Sequence, residues 1–301
     1  STIKKSKVLI GLPTWKDGKR YNSAALLDKS GIIQIYDKHV LPNYIEFDEK
    51  RYFSNGSSKN FFQLNDLKIG LSICEDIWDE GFIDLQKENN LDLLINLSAS
   101  PFTTSKKEER GNVFAKISEK LNIPLIYVNQ TGGQDELVFD GNSFALNDDG
   151  SICLSCKSFE HDISIINFRK DKKWIGKGDI IKSSTKYESL YKALVLGLRD
   201  YVKNNKFPGV ILGMSGGIDS ALVASLAVDA LGPQNVHAVM MPSPYTSNES
   251  LNDAKEALNF LDVEYNELNI EDSMKIVDKT LLDFKGPNFK IGITEENINQ
   301  D

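Results

Sequence analysis

Between two apolar runs, Pro208-Gly209-Val210-Ile211-Leu212 and Ala221-Leu222-Val223-Ala224-Ser225-Leu226-Ala227-Val228, lies Gly213-Met214-Ser215-Gly216-Gly217-Ile218-Asp219-Ser220. This order reads as a strand, a turn of small residues and a helix start. Such a turn aims main-chain N–H groups at an anion held against the positive end of the helix. Asp219 adds a carboxylate beside that anion, which suits a phosphate accompanied by a divalent cation. No Gly-Lys-Ser/Thr follows, so the turn is not a Walker A loop, and Gly-x-Gly-x-x-Gly is absent. The expectation is a nucleotide phosphate site. The plainer alternative is a glycine-rich turn with Asp219 as a helix cap.

The sequence around the turn alternates in type. Helix is predicted over Tyr187–Asn204, strand over Gly209–Gly213 and helix over Ile218–Ala230. Strand, helix, strand and helix then follow over Val236–Met241, Ser247–Leu261, Val263–Leu268 and Glu271–Leu282. Alternation of this kind implies a parallel sheet with right-handed crossovers. Ligands of such sheets bind at the carboxyl ends of strands, where Ser215–Ser220 falls.

The first half is denser in strands: Val8–Leu12, Lys68–Cys74, Leu93–Ser98, Leu125–Asn129, Ser143–Leu146 and Ile163–Ile166. Amphipathic stretches near Gly81–Glu88 and Lys107–Leu121 read as helices. Asn147-Asp148-Asp149-Gly150 reads as a hairpin turn. The whole indicates a layered α/β domain. Residues 168–186 are polar and without clear period, and read as a linker. The chain starts with Ser1, and Thr294–Asp301 reads as the beginning of another helix, so both ends look cut.

With a net charge of −8, broad nucleic-acid binding is not expected, because that needs a basic face. No apolar run reaches the roughly 18 residues that span a bilayer, and no membrane partner is expected. The three cysteines, Cys74, Cys153 and Cys156, fit a reducing, cytoplasmic compartment better than a disulfide framework. Cys153 and Cys156 form a single CxxC with no second pair, and read as small apolar residues on a strand rather than zinc ligands.

Cys74 ends an apolar strand and precedes Glu75-Asp76-Ile77-Trp78. A thiol at a sharp strand end is where a nucleophile sits on an α/β scaffold. A free thiol titrates near 8.5 and needs a base or cation close by. Lys38, in Lys38-His39-Val40-Leu41-Pro42-Asn43-Tyr44, is a candidate cation. By itself, Cys74 reads better as a buried structural cysteine, one of the commonest buried residues.

The Ser-Gly-Gly-x-Asp-Ser order resembles the pyrophosphatase loop of enzymes that adenylate a substrate. The neighbours of Cys74 resemble the nitrilase-like amidases, whose catalytic set is Glu, Lys and Cys. Longer strings are similar to the glutamine-dependent NAD+ synthetases. They include Lys38–Tyr44, Phe47–Phe53, Cys74-Glu75-Asp76, Asn96–Pro101 and Tyr127–Leu137 in the first half. In the second half they include Leu198–Val202 and Met241–Ser247. The resemblance covers nearly the whole chain.

That resemblance implies an α/β chain of two parts. A nitrilase-like layered α-β-β-α glutamine amidohydrolase domain, incomplete at its N-terminus, would span 1–167. A doubly wound parallel-sheet adenine-nucleotide domain, incomplete at its C-terminus, would span 187–301. Cys74 would attack the side-chain amide of glutamine, Lys38 would stabilise the oxyanion, and Glu49 would support them. Tyr44, Glu75 and Ser100 would hold the ends of glutamine. Ammonia would pass inside the protein to the second domain. There Gly213, Ser215, Gly216, Gly217, Asp219 and Ser220 would bind ATP, with Asp219 also holding Mg²⁺. The carboxylate of nicotinic acid adenine dinucleotide would be adenylated and then amidated to NAD+. Homo-oligomers are implied as well.

Two features depart from that pattern. The family's general-base glutamate lies upstream of its lysine, yet residues 1–37 contain no glutamate, only Asp17, Asp28 and Asp37. The synthetase's later metal-binding glutamate would fall after Asp301. The 301 residues alone are therefore expected to turn over negligibly. Two other readings remain open here: an amidase with a nucleotide-binding regulatory half, and a truncated, non-catalytic assembly subunit.

Overall fold

A computed structural model describes residues 6–44, 47–57, 59–170, 174–182 and 184–285. The chain divides into two units, Ser1–Gly197 and Leu198–Asp301.

The first unit begins with an antiparallel meander of β1 (Val8–Lys16), β2 (Lys19–Asp28) and β3 (Gly31–Asp37). A one-turn helix α1 (Glu49–Tyr52) follows, then β4 (Phe61–Leu64) and β5 (Leu67–Ile73). Helix α2 (Glu80–Glu88), β6 (Leu93–Ser98), α3 (Lys106–Leu121) and β7 (Leu125–Asn129) complete two parallel crossovers. Beyond a short hairpin of β8 (Thr131–Gln134) and β9 (Leu137–Asp140) come β10 (Phe144–Leu146) and β11 (Ile152–Ser155). The larger sheet has the order β11-β10-β7-β6-β5-β4.

One core joins these layers. Ala24, Leu26 and Tyr36 of the meander cluster with Ile69, Leu71 and Ile73 of β5. Phe82 and Ile83 of α2 and Phe114 and Ile117 of α3 belong to the same cluster. Strand β5 is buried from Ile69 to Ile73 without a break. Its residues there, Ile69-Gly70-Leu71-Ser72-Ile73, are apolar or small, as suits a strand covered on both faces.

The turn Asn147–Gly150 joins β10 to β11, closed by the Gly150 amide donating to the Asn147 carbonyl at 3.1 Å. The strand expected at Ile163–Ile166 is not there. Ile163 and Ile165 are 95% and 78% exposed. Their alternation mimics a strand, but this stretch forms no ladder. Pairing starts one residue later, where β12 (Asn167–Lys170) meets β13 (Trp174–Lys177) antiparallel. The stretch 168–186 thus carries most of a hairpin as well as connecting chain. Cys153 lies buried on β11 and Cys156 just past that strand.

Helix α4 (Lys186–Asn204) contributes Ala193 and Leu196 to a small cluster with Phe159 in the first unit. The second unit contains β14 (Val210–Gly213), α5 (Ile218–Leu231), β15 (Val236–Met240), α6 (Asn248–Phe260), β16 (Glu264–Glu267) and α7 (Glu271–Lys285). Its three strands are parallel in the order β14-β15-β16. Ala224 and Ala227 of α5 pack with Ala238 and Met240 of β15 and with Ala254 and Leu258 of α6. Small residues on α5 let the helix lie close to the sheet. The helix start expected at Thr294–Asp301 lies outside the described residues. Among the described residues no helix is long and apolar enough to cross a membrane.

Candidate functional site

In the first unit, three of the residues singled out above converge. Lys38 follows the last residue of β3, Cys74 follows the last residue of β5, and Glu49 opens α1. All three line one cleft of about 480 Å³, together with Asn22, Ser23, Ser98, Asn129 and Gln130. Lys38 Nζ donates to Glu49 Oε1 at 2.8 Å and to Oε2 at 2.9 Å. A lysine buried as deeply as Lys38 needs such an anion, because an unpaired buried charge is costly.

Cys74 is the residue at which β5 breaks into a 3-10 turn, Cys74–Trp78. Its φ is +44°, a left-handed value seldom taken by a residue with a β-carbon. The strand therefore ends at a corner at Cys74, where the sequence placed a sharp strand end. Asn96 steadies the corner. Its Nδ2 donates to Ser72 Oγ at 2.9 Å and to the Cys74 carbonyl at 3.4 Å. Ser98 Oγ donates to Asn96 Oδ1 at 2.7 Å.

The Cys74 thiol is pushed above its ordinary pKa, chiefly by burial. Lys38 and a hydrogen bond with Ser98 pull it down, while Glu75 and Glu49 push it up. At neutral pH the sulfur is therefore a thiol, and attack requires a base. None of Asp17, Asp28 and Asp37 lines the cleft. Asp17 is exposed, Asp28 accepts from Ser30, and Asp37 accepts from Ser23 Oγ at 2.6 Å.

None of the three residues expected to hold a substrate's ends lines the cleft. Tyr44 Oη donates to Glu75 Oε1 at 2.7 Å, so these two are joined, but neither lines the cleft. Ser100 is buried, and its amide donates to Asn129 Oδ1 at 2.9 Å. Asn129 itself lines the cleft and also reaches Asp140 Oδ1 through Nδ2 at 3.2 Å. Asp140 accepts from Arg110 at 2.6 Å, and Arg110 donates to Tyr127 Oη at 2.9 Å. Sequence reasoning assigned no role to Asn96, Ser98, Asp76, Arg110 or Asn129. All but Arg110 lie inside the strings that carried the family resemblance, so the signal was present without a chemical reading.

The glycine-rich turn of the second unit has the expected strand–turn–helix setting. Gly213 ends β14, Ser215, Gly216 and Gly217 form the turn, and Asp219 and Ser220 lie in the first turn of α5. The Ser215 amide donates to Ser220 Oγ at 3.3 Å, and the Gly217 amide donates to Ser215 Oγ at 3.3 Å. Gly216 has φ +84°, and a β-carbon there would overlap the Ser250 carbonyl. Gly217 caps α5 without a side-chain bond, and Asp219 is exposed rather than capping. Backbone amides at a helix start are a setting that suits an anion. Among the described residues no group of three His, Cys, Asp or Glu forms a ready-made cage for a metal. A lone carboxylate fits a Mg²⁺ that arrives with phosphates, since that ion takes one or two carboxylates plus phosphate oxygens.

Residues 4–171 match the carbon-nitrogen hydrolase family, and the chain belongs to that family. Residues 190–300 match NAD synthase. Over 283 residues the chain is 40% identical to the glutamine-dependent NAD(+) synthetase of Acinetobacter baylyi, covering 94% of this chain and 52% of that protein. It is 38% identical to the Synechocystis sp. glutamine-dependent NAD(+) synthetase, over 93% of this chain and 52% of that one. The structure of glutamine-dependent NAD+ synthetase from Acinetobacter baumannii, in complex with adenosine diphosphate, matches with a TM-score of 0.92. Its identity is 39%, over 98% of this chain and 56% of that chain. The corresponding Cytophaga hutchinsonii structure has a TM-score of 0.76 at 19% identity, a likeness of fold. The chain thus spans about half the length of the relatives it matches.

Proposed function

We propose that this chain belongs to a glutamine-dependent NAD+ synthetase, with residues 1–167 as the glutaminase part and 187–301 as the ATP-binding part. The observation that carries the reading is the convergence of Cys74, Lys38 and Glu49 in one cleft, on a chain that also holds the Ser215–Ser220 cradle. Cys74 attacks the side-chain amide carbon of glutamine. The thiol proton leaves with the amide nitrogen as ammonia, and a glutamyl thioester remains for water to cleave. Lys38 donates to the oxyanion of the tetrahedral intermediate. Glu49 holds Lys38 in place, and Tyr44, Glu75 and Ser100 bind the amino and carboxyl ends of glutamine.

The second unit takes ATP on Gly213, Ser215, Gly216, Gly217, Asp219 and Ser220. Asp219 would also hold Mg²⁺, which neutralises phosphate charge when bound. The carboxylate of nicotinic acid adenine dinucleotide attacks the α-phosphorus and expels pyrophosphate. Ammonia then displaces AMP to give NAD+. A homo-oligomer in the cytoplasm is proposed, without nucleic-acid or membrane partners; the three free cysteines fit a reducing compartment.

The test uses the longest natural chain that carries this sequence. With glutamine, ATP and the deamido dinucleotide it should form NAD+ and AMP one for one. Cys74→Ala should abolish glutamine use and spare the reaction driven by added ammonia. Formation of ADP in place of AMP overturns the adenylation step. Loss of the ammonia-driven reaction in folded Cys74→Ala overturns the division of roles.

A further inference from the structure

Asp76 has no part in the reaction proposed above, yet four hydrogen bonds converge on its carboxylate. Its side chain is fully buried. Oδ2 accepts from Tyr36 Oη at 2.6 Å and from the Ile73 amide at 2.8 Å. Oδ1 accepts from the His39 amide at 3.0 Å and the Val40 amide at 2.8 Å. Burial raises its pKa, while the bonds from Tyr36, Val40 and Ile73 and the Lys38 charge oppose the rise. Tyr36 is pushed up as well, by burial and by Asp76.

The four donors come from two segments far apart in sequence. His39 and Val40 directly follow Lys38, and Ile73 directly precedes Cys74. One carboxylate therefore ties the backbone that carries the ammonium to the backbone that carries the sulfur. The tie matters because neither segment is regular there. Cys74 sits at a positive φ, a conformation that persists only where surrounding contacts over-determine it. The Lys38 segment has left β3, and two further backbone bonds hold it. Its amide donates to the Asn22 carbonyl at 2.8 Å, and its carbonyl accepts from Gly56 at 2.7 Å.

We propose that Asp76 is a positioning residue that sets the Lys38 ammonium against the Cys74 sulfur and thereby governs the reactivity of the thiol. This rests on the reading of Cys74 as the nucleophile. Asp76 acts through the two loops and has no contact with substrate in this scheme.

Two effects of removing the carboxylate have opposite signs. The charged groups acting on Cys74 are Lys38, which favours the thiolate, and Glu49 and Glu75, which oppose it. Tyr127 also feels the sulfur, and the His39 ring packs against Tyr36 and Phe82. Acting through space, a negative Asp76 disfavours a second negative charge nearby, so its loss would ease ionisation of Cys74. Acting through position, its loss frees Lys38 to move away and makes ionisation harder. The direction of the shift separates the two.

The measurement is the rate of Cys74 alkylation by iodoacetamide between pH 7 and 10.5, followed by peptide mass spectrometry. Cys156 serves as an internal reference. Asp76→Asn keeps the volume but turns one acceptor into a donor, which then faces either the two amides or Tyr36 and Ile73. The expected result is an upward shift of the Cys74 midpoint by about one pH unit, a tenfold slower reaction at pH 8. Tyr36→Phe removes one donor of the four and should shift the midpoint less, in the same direction. An unchanged or lowered midpoint in a folded Asp76→Asn protein overturns the proposal. If Asp76→Asn does not fold, Tyr36→Phe decides, and an unmoved midpoint there overturns it. Alkylation needs neither glutamine nor ATP, so a chain that makes no NAD+ can still show the shift. Failure of Cys74 to react in the unsubstituted chain at any pH overturns the nucleophile reading, and this proposal with it.

Discussion

Lys38 Nζ contacts both carboxylate oxygens of Glu49, at 2.8 and 2.9 Å, although the Lys38 side chain is only 1% exposed and Glu49 18%. The pair fixes the Lys38 amine at the wall of the cleft that Cys74 shares. Glu49→Gln leaves that ammonium without its anion. The expected cost is about 3 kcal/mol, the low end for a broken buried pair, because Glu49 keeps some contact with water. Thermal denaturation should show it, and glutamine-driven turnover should fall at least tenfold with ammonia-driven turnover retained. Equal turnover of the two proteins would separate Glu49 from the chemistry.

The thiol of Cys74 titrates above its ordinary value, first because of burial. A group raised in the folded state favours its protonated form there. The stability it contributes is complete below the unfolded value of about 8.5. It is lost as pH rises through the folded value. Alkylation of Cys74 should therefore still be rising above pH 8.5, and Lys38→Met should move the rise further up. Cys153, pushed up to about 11 by burial, should respond later than a free thiol. A plateau for Cys74 below pH 8 would contradict this prediction.

In the second unit, Gly216→Ala should damage the proposed phosphate site selectively. The residue sits at φ +84° and its missing β-carbon makes room for the Ser250 carbonyl. Alanine must move either the turn or the start of α6, at a cost of about 1–3 kcal/mol for strain of this kind. Titration calorimetry with ATP should show at least tenfold weaker binding, while iodoacetamide labelling of Cys74 in the first unit stays as it was. Unaltered ATP affinity would mean that the turn is only a connection.

Behind the cleft, Arg110 and Asp140 form an ion pair at 2.6 Å, with side chains 2% and 3% exposed. Arg110→Met strands the Asp140 carboxylate and should lower stability by about 3–5 kcal/mol. Changing both residues, Arg110→Met with Asp140→Leu, should cost less than the single change, because no buried charge is left alone. Urea titration followed by circular dichroism compares the two. A double variant as unstable as the sum of the singles would show that the network's value lies in its packing.

Much of the local structure was legible because it follows from nearest neighbours. Val210–Gly213, the small-residue turn and Ile218–Leu231 form a strand, a turn and a helix, as apolar runs around glycines dictate. The runs at Leu93–Ser98 and Leu125–Asn129 formed strands with the expected bounds. Ile163–Ile166 also reads as a strand by its pattern but forms no ladder among the described residues, since a strand exists only where another supplies its hydrogen bonds. Within 168–186, charge and lack of period concealed the pairing of β12 with β13 for the converse reason.

The candidate site divides along the same line. By itself the sequence determined the residue types: a thiol at a strand end, a lysine and a glutamate upstream, and a glycine turn before a helix. Those depend on local spacing. Only the tertiary structure decided that β3 and β5 end side by side, so that Lys38, Glu49 and Cys74 share one cleft. It also decided that Asp76, 40 residues beyond Tyr36, binds the two loops together. Tyr44 and Glu75 likewise meet across 31 residues. A buried carboxylate takes its role from donors that the chain delivers from elsewhere, and no local pattern records where they will come from.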